Sequence, residues 1–499
     1  MKRFRAGTTK RAAGILLPVF SLPSPHGIGT FGRAAYEWVD FLKDAGQLHW
    51  QILPLGPTGY GDSPYQSFSA FAGNSFFIDL DMLAGDGLLK PEEIDAIDWG
   101  ESERQIDYDA VAAGRNILLR KAYSRFDNPM ALRRFREEHM GWIDDYTLYM
   151  ATKAKMGGTP WYEWDVEIRM HEPQAIARLW ADLQEDIEYH LFVQHQFYKQ
   201  WISLKAYANR AGIGIIGDIP IYVSMDSADT WANSELFLLD ENGRPTDVAG
   251  CPPDYFSEDG QLWGNPLYRW DVLREQEYGW WMDRMEFSLT QCDLVRIDHF
   301  RGFESYYAIP GGAATAKNGE WRRGPGMDLI GRINEAFGGD RIIAEDLGIL
   351  TDDVRWLLKN SGYPGMKILQ FAFSPNAESD YLPHHHHKHC VIYSGTHDND
   401  TTMGWLTDGD PAEVARAMDY LATADKNATL DAIIRAALAS VANLAILPMQ
   451  DYLRLDNRAR VNTPSTLGGG NWCYRMGKWD AAPELAQEIF GLTSLYGRL

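Results

Sequence analysis

Acidic side chains close four short apolar runs of this 499-residue chain. They are Asp218 in Gly217-Asp218-Ile219-Pro220, Asp298 in Leu294-Val295-Arg296-Ile297-Asp298-His299, Glu345 in Ile342-Ile343-Ala344-Glu345-Asp346, and Asp398 in Thr396-His397-Asp398-Asn399. An apolar run that ends in a carboxylate places a titratable group where a strand leaves the core. Two carboxylates with separated pKa values are the minimum equipment for cleaving a glycosidic bond: one protonated to donate to the leaving oxygen, one ionised to attack or to activate water.

The local contexts differ. Side chains alternate along a strand, so Arg296 and Asp298 point the same way. A guanidinium beside a carboxylate favours its ionised form, which suits a nucleophile. The same pair would also suit an Asp that caps the next helix. Glu345 follows three apolar or small residues, and burial would raise its pKa toward that of a general acid; a helix-start acid reads the same way. Asp346 alternates to the other side. Around Asp398, Gly395 lets the backbone turn and polar side chains converge; an Asx turn or a calcium loop is the competing reading, although calcium needs more oxygen ligands in register. Pro220 ends regular pairing and leaves Asp218 near the end of its strand, in a binding or a structural role.

The elements that must carry these residues are legible. Short apolar runs at 14–20, 49–55, 213–223, 293–300, 341–348, 365–373, 390–398 and 444–453 read as buried parallel strands. Helical patterns lie between them. The segment 33–45 stops at Gly46, 181–211 carries Ile187, Leu191, Tyr198 and Ile202 at helical spacing, and 351–360 starts with a Thr cap and contains Val354, Trp356 and Leu357. Eight strands alternating with helices predict an α/β fold, a (β/α)8 TIM barrel in which chemistry sits at the C-terminal strand ends. Such a barrel needs about 250 residues, so large helical and loop insertions must interrupt it. The expected organisation is one catalytic barrel over 1–499, with a mainly helical insertion at 56–190 and a loop-rich insertion at 222–281 on the active-site face.

Composition narrows the partners. With 47 Lys+Arg against 69 Asp+Glu the formal net charge is −22, which disfavours nucleic acid and an anionic membrane surface. No apolar run reaches the roughly 18 residues that span a bilayer. The basic start (Lys2, Arg3, Arg5, Lys10, Arg11) precedes an apolar run interrupted by Gly14 and Pro18, which does not read as a signal peptide. Four scattered cysteines without a C-x-x-C pair point to reduced thiols in a cytoplasm. Aromatic residues make up 13%, including 18 Trp and 24 Tyr; they suit a large core or a cleft that stacks the flat faces of sugars. The run His384-His385-His386-His387-Lys388-His389 reads as a polar loop before the strand at Cys390 rather than a metal site. Oligomeric state is left open.

Taken together, Asp218-Ile219-Pro220-Ile221-Tyr222, Arg296-Ile297-Asp298-His299, Glu345-Asp346-Leu347-Gly348 and His397-Asp398-Asn399 resemble the four signature regions of the α-amylase superfamily. More closely, the chain resembles the 4-α-glucanotransferases, the amylomaltase and disproportionating-enzyme family. Leu53-Pro54-Leu55-Gly56-Pro57-Thr58, Ser63-Pro64-Tyr65-Gln66, Trp263-Gly264-Asn265-Pro266, Tyr268-Arg269-Trp270 and Asn462-Thr463-Pro464 extend the likeness from about Gly14 onward. The resemblance implies Asp298 as nucleophile, Glu345 as acid/base and Asp398 as the group that holds sugar hydroxyls and stabilises an oxocarbenium-like transition state. It implies that Arg296 orients Asp298, and that His397, Asp218, His299, Asn265, Ser63 and Asn462 contact sugar. Tyr60, in a glycine-rich loop, and Trp263 are read as aromatic contacts, with a turn tyrosine and a loop pin as their alternatives. The stretch 254–260 is read as part of a lid. No metal and no organic cofactor is implied. The expected activity is transfer of an α-1,4-glucan segment to the 4-hydroxyl of another glucan, with a hydrolase using the same acids or an inactive glucan-binding protein as the rivals.

Overall fold

The computed structural model describes residues 10–59, 61–253, 258–348, 350–374 and 379–499. Each of the eight apolar runs overlaps a parallel strand, and the first strand begins two residues early, at Ala12. They are β1 (Ala12–Leu16), β2 (His49–Gln51), β3 (Gly214–Pro220), β4 (Leu294–Asp298), β5 (Ile342–Ala344), β6 (Gly365–Ile368), β7 (Cys390–Tyr393) and β8 (Leu444–Pro448). The sheet runs β6-β7-β8-β1-β2-β3-β4-β5, which is chain order started at the sixth strand. The two ends meet: the Ala344 amide donates to the Pro364 carbonyl at 3.0 Å, and the Asp346 carboxylate accepts from the Met366 amide at 2.6 Å. The sheet is therefore a (β/α)8 barrel, and Asp346 works on the side away from Glu345, as alternation requires. Close packing inside the barrel shows at Gly14, where a Cβ would lie 2.6 Å from the His49 carbonyl oxygen and 2.7 Å from Ile446.

The outer helices follow their caps. Helix Arg33–Asp44 ends just before Gly46, which takes φ +66°. Thr351 caps Asp352–Ser361 by accepting from the Val354 amide at 3.3 Å; Val354 and Leu357 are buried, whereas Trp356 is 58% exposed. The helical pattern at 181–211 resolves into the end of Pro173–Asp182 and the long helix Gln184–Ala211. There Ile187, Leu191 and Tyr198 are buried but Ile202 is 55% exposed. At 3.6 residues per turn a stripe drifts by about 60° between positions 187 and 202, and Trp201 takes the inward place instead, fully buried.

Between β2 and β3 the chain forms helices Tyr108–Arg125, Pro129–Glu138, Ile143–Lys155 and Pro173–Asp182, which pack on Gln184–Ala211. The segment 222–281 departs from its loop-like composition. It contributes helices Ala228–Ala232 and Trp270–Glu275 and two strands, Asp247–Cys251 and Gln261–Pro266. These join Ser305–Pro310 and Glu320–Arg323 in a four-stranded antiparallel sheet ordered Gln261–Pro266, Asp247–Cys251, Ser305–Pro310, Glu320–Arg323. Strands carrying Gly250, Gly264 and Pro266 are held here by a distant segment that follows β4, a partner outside any local window. Of the stretch 254–260, residues 254–257 lie outside the described residues; the Asp259 carbonyl accepts from the Ala316 amide at 3.0 Å.

At the opposite end of the barrel Arg498, fully buried, donates to the carbonyls of Leu438 at 2.7 Å, Ala12 at 2.9 Å and Ser440 at 2.9 Å. Arg11 donates to Ser440 and Leu438 at 2.5 and 2.7 Å. Two guanidinium groups thus satisfy the C-terminal carbonyls of helix Lys426–Ala439 and join the first strand to the end of the chain. Arg498→Ala removes the guanidinium donor to the Ala12 carbonyl and leaves the Leu438 and Ser440 carbonyls to Arg11 alone. Hydrogen bonds to a charged group are worth about 1.5–3 kcal/mol each, so the variant is expected to melt several degrees lower by calorimetry while its kcat at low temperature stays unchanged.

Candidate active site

The barrel register sets the centre of the site. Asp218 on β3 lies beside Arg296 on β4, and Pro220 beside Asp298. Arg296, with 4% of its side chain exposed, aims along the alternation of β4 toward the strand ends. Its Nη1 donates to both carboxylate oxygens of Asp218, at 2.8 and 2.7 Å, and its Nη2 lies 2.9 Å from Asp298 Oδ1. One guanidinium therefore holds two carboxylates from neighbouring strands. The Tyr65 hydroxyl donates to Asp218 Oδ2 at 2.8 Å, which ties the loop after β2 to the same acid.

Glu345 follows β5 and is buried. Its Oε1 accepts from the Leu347 amide at 2.6 Å and its Oε2 from the His299 amide at 2.7 Å. His299 adopts left-handed backbone angles, φ 53° and ψ 45°, which cost a non-glycine residue roughly 1–2 kcal/mol. That turn, directly after Asp298, aims the His299 amide at Glu345 and so couples the ends of β4 and β5.

Asp398 lies in the loop after β7. Its Oδ1 accepts from Asn462 Nδ2 at 2.6 Å, and its Oδ2 is 3.4 Å from His397 Nε2. Arg460 donates to the Asp398 carbonyl at 2.7 Å, and the Asn462 amide donates to the His397 carbonyl at 3.1 Å. The Tyr65 ring stacks on His397 with centroids 5.2 Å apart and an 11° tilt, and Trp472 leans on both rings at 5.9 and 6.0 Å.

Electrostatics depart from the expectation that Arg296 holds Asp298 low. Burial pushes Asp298 up to about 8; Arg296 pulls it down, and Glu345, Asp218 and Asp398 add to the rise. Burial also raises Glu345. Asp298 keeps 27% of its side chain open to the cleft, so solvent moderates the effect of burial. The upward direction stands because a single guanidinium faces a cluster of carboxylates. The Asp298–Glu345 pair thus holds a proton above the ordinary carboxylate range. Burial lowers His397, and lowers His299 to about 3, so both imidazoles are neutral near pH 7.

The remaining sequence-derived positions divide. Trp263 is partly exposed and meets His299 edge-on at 4.8 Å and 88°. Asn265 is buried and engaged at both ends: its Nδ2 donates to the Val223 carbonyl at 2.8 Å and its Oδ1 accepts from Gln66 at 3.1 Å. It pins the strand Gln261–Pro266 to the segment after β3. Ser63 Oγ accepts from the Tyr65 amide at 3.3 Å, within its own turn. Tyr60 lies outside the described residues. Sequence reasoning missed Arg460 and Trp472, and quoted Tyr65 only inside a motif. A tyrosine two residues after Ser63 carries no local sign that it reaches Asp218. A recess behind β2 and β3, lined by Phe71, Phe197, Tyr198 and Phe287, touches the acids only through Asp218, so the carboxylate geometry rather than the recess marks the site.

The histidine run engages separate partners. His384 meets the Tyr420 hydroxyl, His386 the Ser440 hydroxyl and the Tyr381 carbonyl, and His389 the Gly362 carbonyl. Among the described residues no group of three or more His, Cys, Asp or Glu is placed to hold a metal ion, none of the four cysteines is in a disulfide, and no helix is long and apolar enough to cross a membrane.

A family model described as 4-alpha-glucanotransferase matches residues 17–480. A 4-alpha-glucanotransferase of Clostridium butyricum is 47% identical over 484 residues, covering 96% of this chain and 99% of that protein. One from Thermus thermophilus is 45% identical over 502 residues, covering 98% and 99%. Among solved structures, the amylomaltase of Streptococcus agalactiae in complex with acarbose superposes with a TM-score of 0.95 at 41% identity, covering 98% of this chain and all of that one. With Asp218, Arg296, Asp298, Glu345 and Asp398 gathered at one end of a barrel that superposes so closely, the chain belongs to the 4-alpha-glucanotransferase family.

Proposed function

We propose that the protein cleaves an α-1,4 bond of a maltodextrin or amylose chain and passes the released segment to the 4-hydroxyl of another glucan or of glucose, by double displacement with retention. The observation that carries this reading is the placement of Asp298 and Glu345 on adjacent strand ends. One is paired with Arg296, and the other is held by the His299 and Leu347 amides. Direct contact with Arg296 favours the ionised form of Asp298, so the proton shared by the pair resides on Glu345. Asp298 attacks the anomeric carbon, the glycosidic bond breaks, and Glu345 gives its proton to the leaving oxygen. Glu345, now a carboxylate, takes the proton of the incoming 4-hydroxyl while that oxygen bonds the anomeric carbon and the bond to Asp298 breaks, which frees its carboxylate. Asp398, oriented by Asn462, accepts from sugar hydroxyls and supports the positive charge that develops at the anomeric carbon. Neutral His397 and His299, with Asp218, Asn265, Ser63 and Trp263, shape the binding cleft.

In this reading residues 1–499 are one catalytic barrel unit, framed by the helical insertion 56–190 and by 222–281 at the mouth. Four thiols outside disulfides suit a reducing, cytoplasmic setting. No metal or cofactor takes part. Incubation with maltotriose, followed by chromatography, separates the readings. A ladder of shorter and longer dextrins with little net gain in reducing ends means transfer, a steady rise in reducing ends means hydrolysis, and no turnover means binding alone.

Residue roles separate with an activated donor. With α-maltotriosyl fluoride, whose leaving group needs little protonation, Glu345→Gln should still be glycosylated but release its product slowly. Mass spectrometry of a digest should then find the adduct on Asp298. Asp298→Asn should give none, and natural dextrins should be slower by about 10²–10⁴-fold or more in both. An adduct on Glu345 or Asp398 would overturn the assignment.

The wild-type pH profile follows from the shared proton. Glycosylation of a dextrin needs that proton on Glu345, whose carboxyl burial pushes above the ordinary range, so kcat/KM should fall on the alkaline side as Glu345 loses it. Initial glycosylation rates of Glu345→Gln with the fluoride should lack that alkaline limb. Trp263→Ala, at a partly exposed position, should raise KM for dextrins by about 3–10-fold with little change in melting temperature; a large loss of melting temperature with normal kinetics would make Trp263 a loop pin.

A further inference from the structure

Asp451 is a buried acid outside the sugar-handling set. It sits in the short helix Met449–Tyr452 directly after β8 and is 1% exposed. Its Oδ2 accepts from the Ser394 hydroxyl at 2.5 Å and from the Thr402 hydroxyl at 2.8 Å, and its Oδ1 accepts from the Thr402 amide at 2.9 Å. These donors are not scattered. Ser394 follows β7, Thr402 begins helix Thr402–Asp408, and the arc between them carries Thr396, His397, Asp398 and Asn399. One carboxylate therefore grips both ends of the arc that presents His397 and Asp398 to the cleft.

Other contacts brace the middle. Gln370 donates to the Asp400 carbonyl at 2.9 Å. Asn399 Oδ1 accepts from the Thr396 amide and hydroxyl at 2.8 and 2.9 Å, and Arg460 reaches the Asp398 carbonyl. None of these spans the arc from start to finish. Burial of a carboxylate among dipolar donors carries a cost, and here it anchors a loop of chemistry rather than a regular element.

We infer that Asp451 is a positioning residue for transfer, holding Asp398 and His397 at the place where the sugar ring passes through its transition state. The inference rests on the role proposed for Asp398. An amide at this position offers one acceptor oxygen to three donors, while an alanine leaves all three without an acceptor. Displacing a reacting group by about 1 Å costs on the order of 10²-fold in rate.

The test measures kcat and KM with maltotriose and with α-maltotriosyl fluoride for Asp451→Asn, Asp451→Ala, Ser394→Ala and Thr402→Val, with melting temperatures alongside. The expected result is a kcat loss of about 10²-fold for Asp451→Ala, smaller for Asp451→Asn and smaller again for each single-donor variant, with KM changing much less. In an Asp398→Asn background the loss from Asp451→Asn should shrink to the part carried by His397, because the residue acts largely through Asp398. A lowered melting temperature with unchanged kcat, or a loss that simply multiplies with that of Asp398→Asn, would overturn the inference. If Asp451→Ala does not fold, the single-donor variants decide by the same criteria. If Asp398→Asn itself leaves kcat intact, the role given to Asp398 fails and this inference falls with it, whereas normal kcat in the Asp451 variants beside an impaired Asp398→Asn removes the inference alone.

Discussion

A single buried guanidinium, that of Arg296, sets the terms for the whole site. It lies inside the barrel mouth between Asp218 and Asp298 and bonds both. A buried cation is costly unless it is paired, and a buried carboxylate equally so. Neither β3 nor β4 could present its acid at this depth without the cation between them. Yet one positive charge does not balance the four acids of the site, and Asp298 and Glu345 are left holding a proton that isolated carboxyls would release. The imbalance is useful, because glycoside chemistry requires one acid charged and one neutral at the same pH.

The rest of the structure can be read as the means of keeping that imbalance in register. Parallel strands end at similar heights, so acids that terminate them converge without long loops. The left-handed turn at His299 converts the end of β4 into a donor for Glu345. The loop after β7 is flexible in composition but held at Asp398 by Asn462 and Arg460, and at both of its ends by Asp451. Tyr65 links the loop after β2 to Asp218 through its hydroxyl and to His397 through its ring face. Rigid strands supply position, and loops tied by buried polar groups supply the remaining contacts.

The insertions put the aromatic residues to two uses. Within the helical insertion and its neighbours, Trp142, Tyr198 and Phe287 pack as mutually edge-on rings in the core. At the mouth, Trp263 stands on a small antiparallel sheet whose strands come from either side of β4, so the loops after β3 and β4 form one wall. Asn265 fastens that wall to the segment after Asp218. The wall and the acids at the barrel mouth are thereby mechanically continuous.

Local regularities determined what the sequence alone could determine. A two-residue period places Arg296 and Asp298 on one side of a strand and Asp346 opposite Glu345. Eight apolar runs separated by helical patterns imply a barrel with acids at its mouth. A Thr cap and a terminal glycine mark helix ends. All of these depend on residues within a few positions of one another. Tertiary structure alone decided the rest. It shares Arg296 between two acids, brings Tyr65 to Asp218 and Asn462 to Asp398, closes β5 on β6, and turns part of the segment 222–281 into strands. The helix stripe that included Ile202 failed because a face is buried only where a neighbour covers it. The raised pKa of Asp298 escaped sequence reading for a related reason. The adjacent arginine is visible in the sequence, but the desolvation and the other carboxylates that outweigh it come from strands far away in the chain, and a charge responds to everything within a few ångströms, whatever its number.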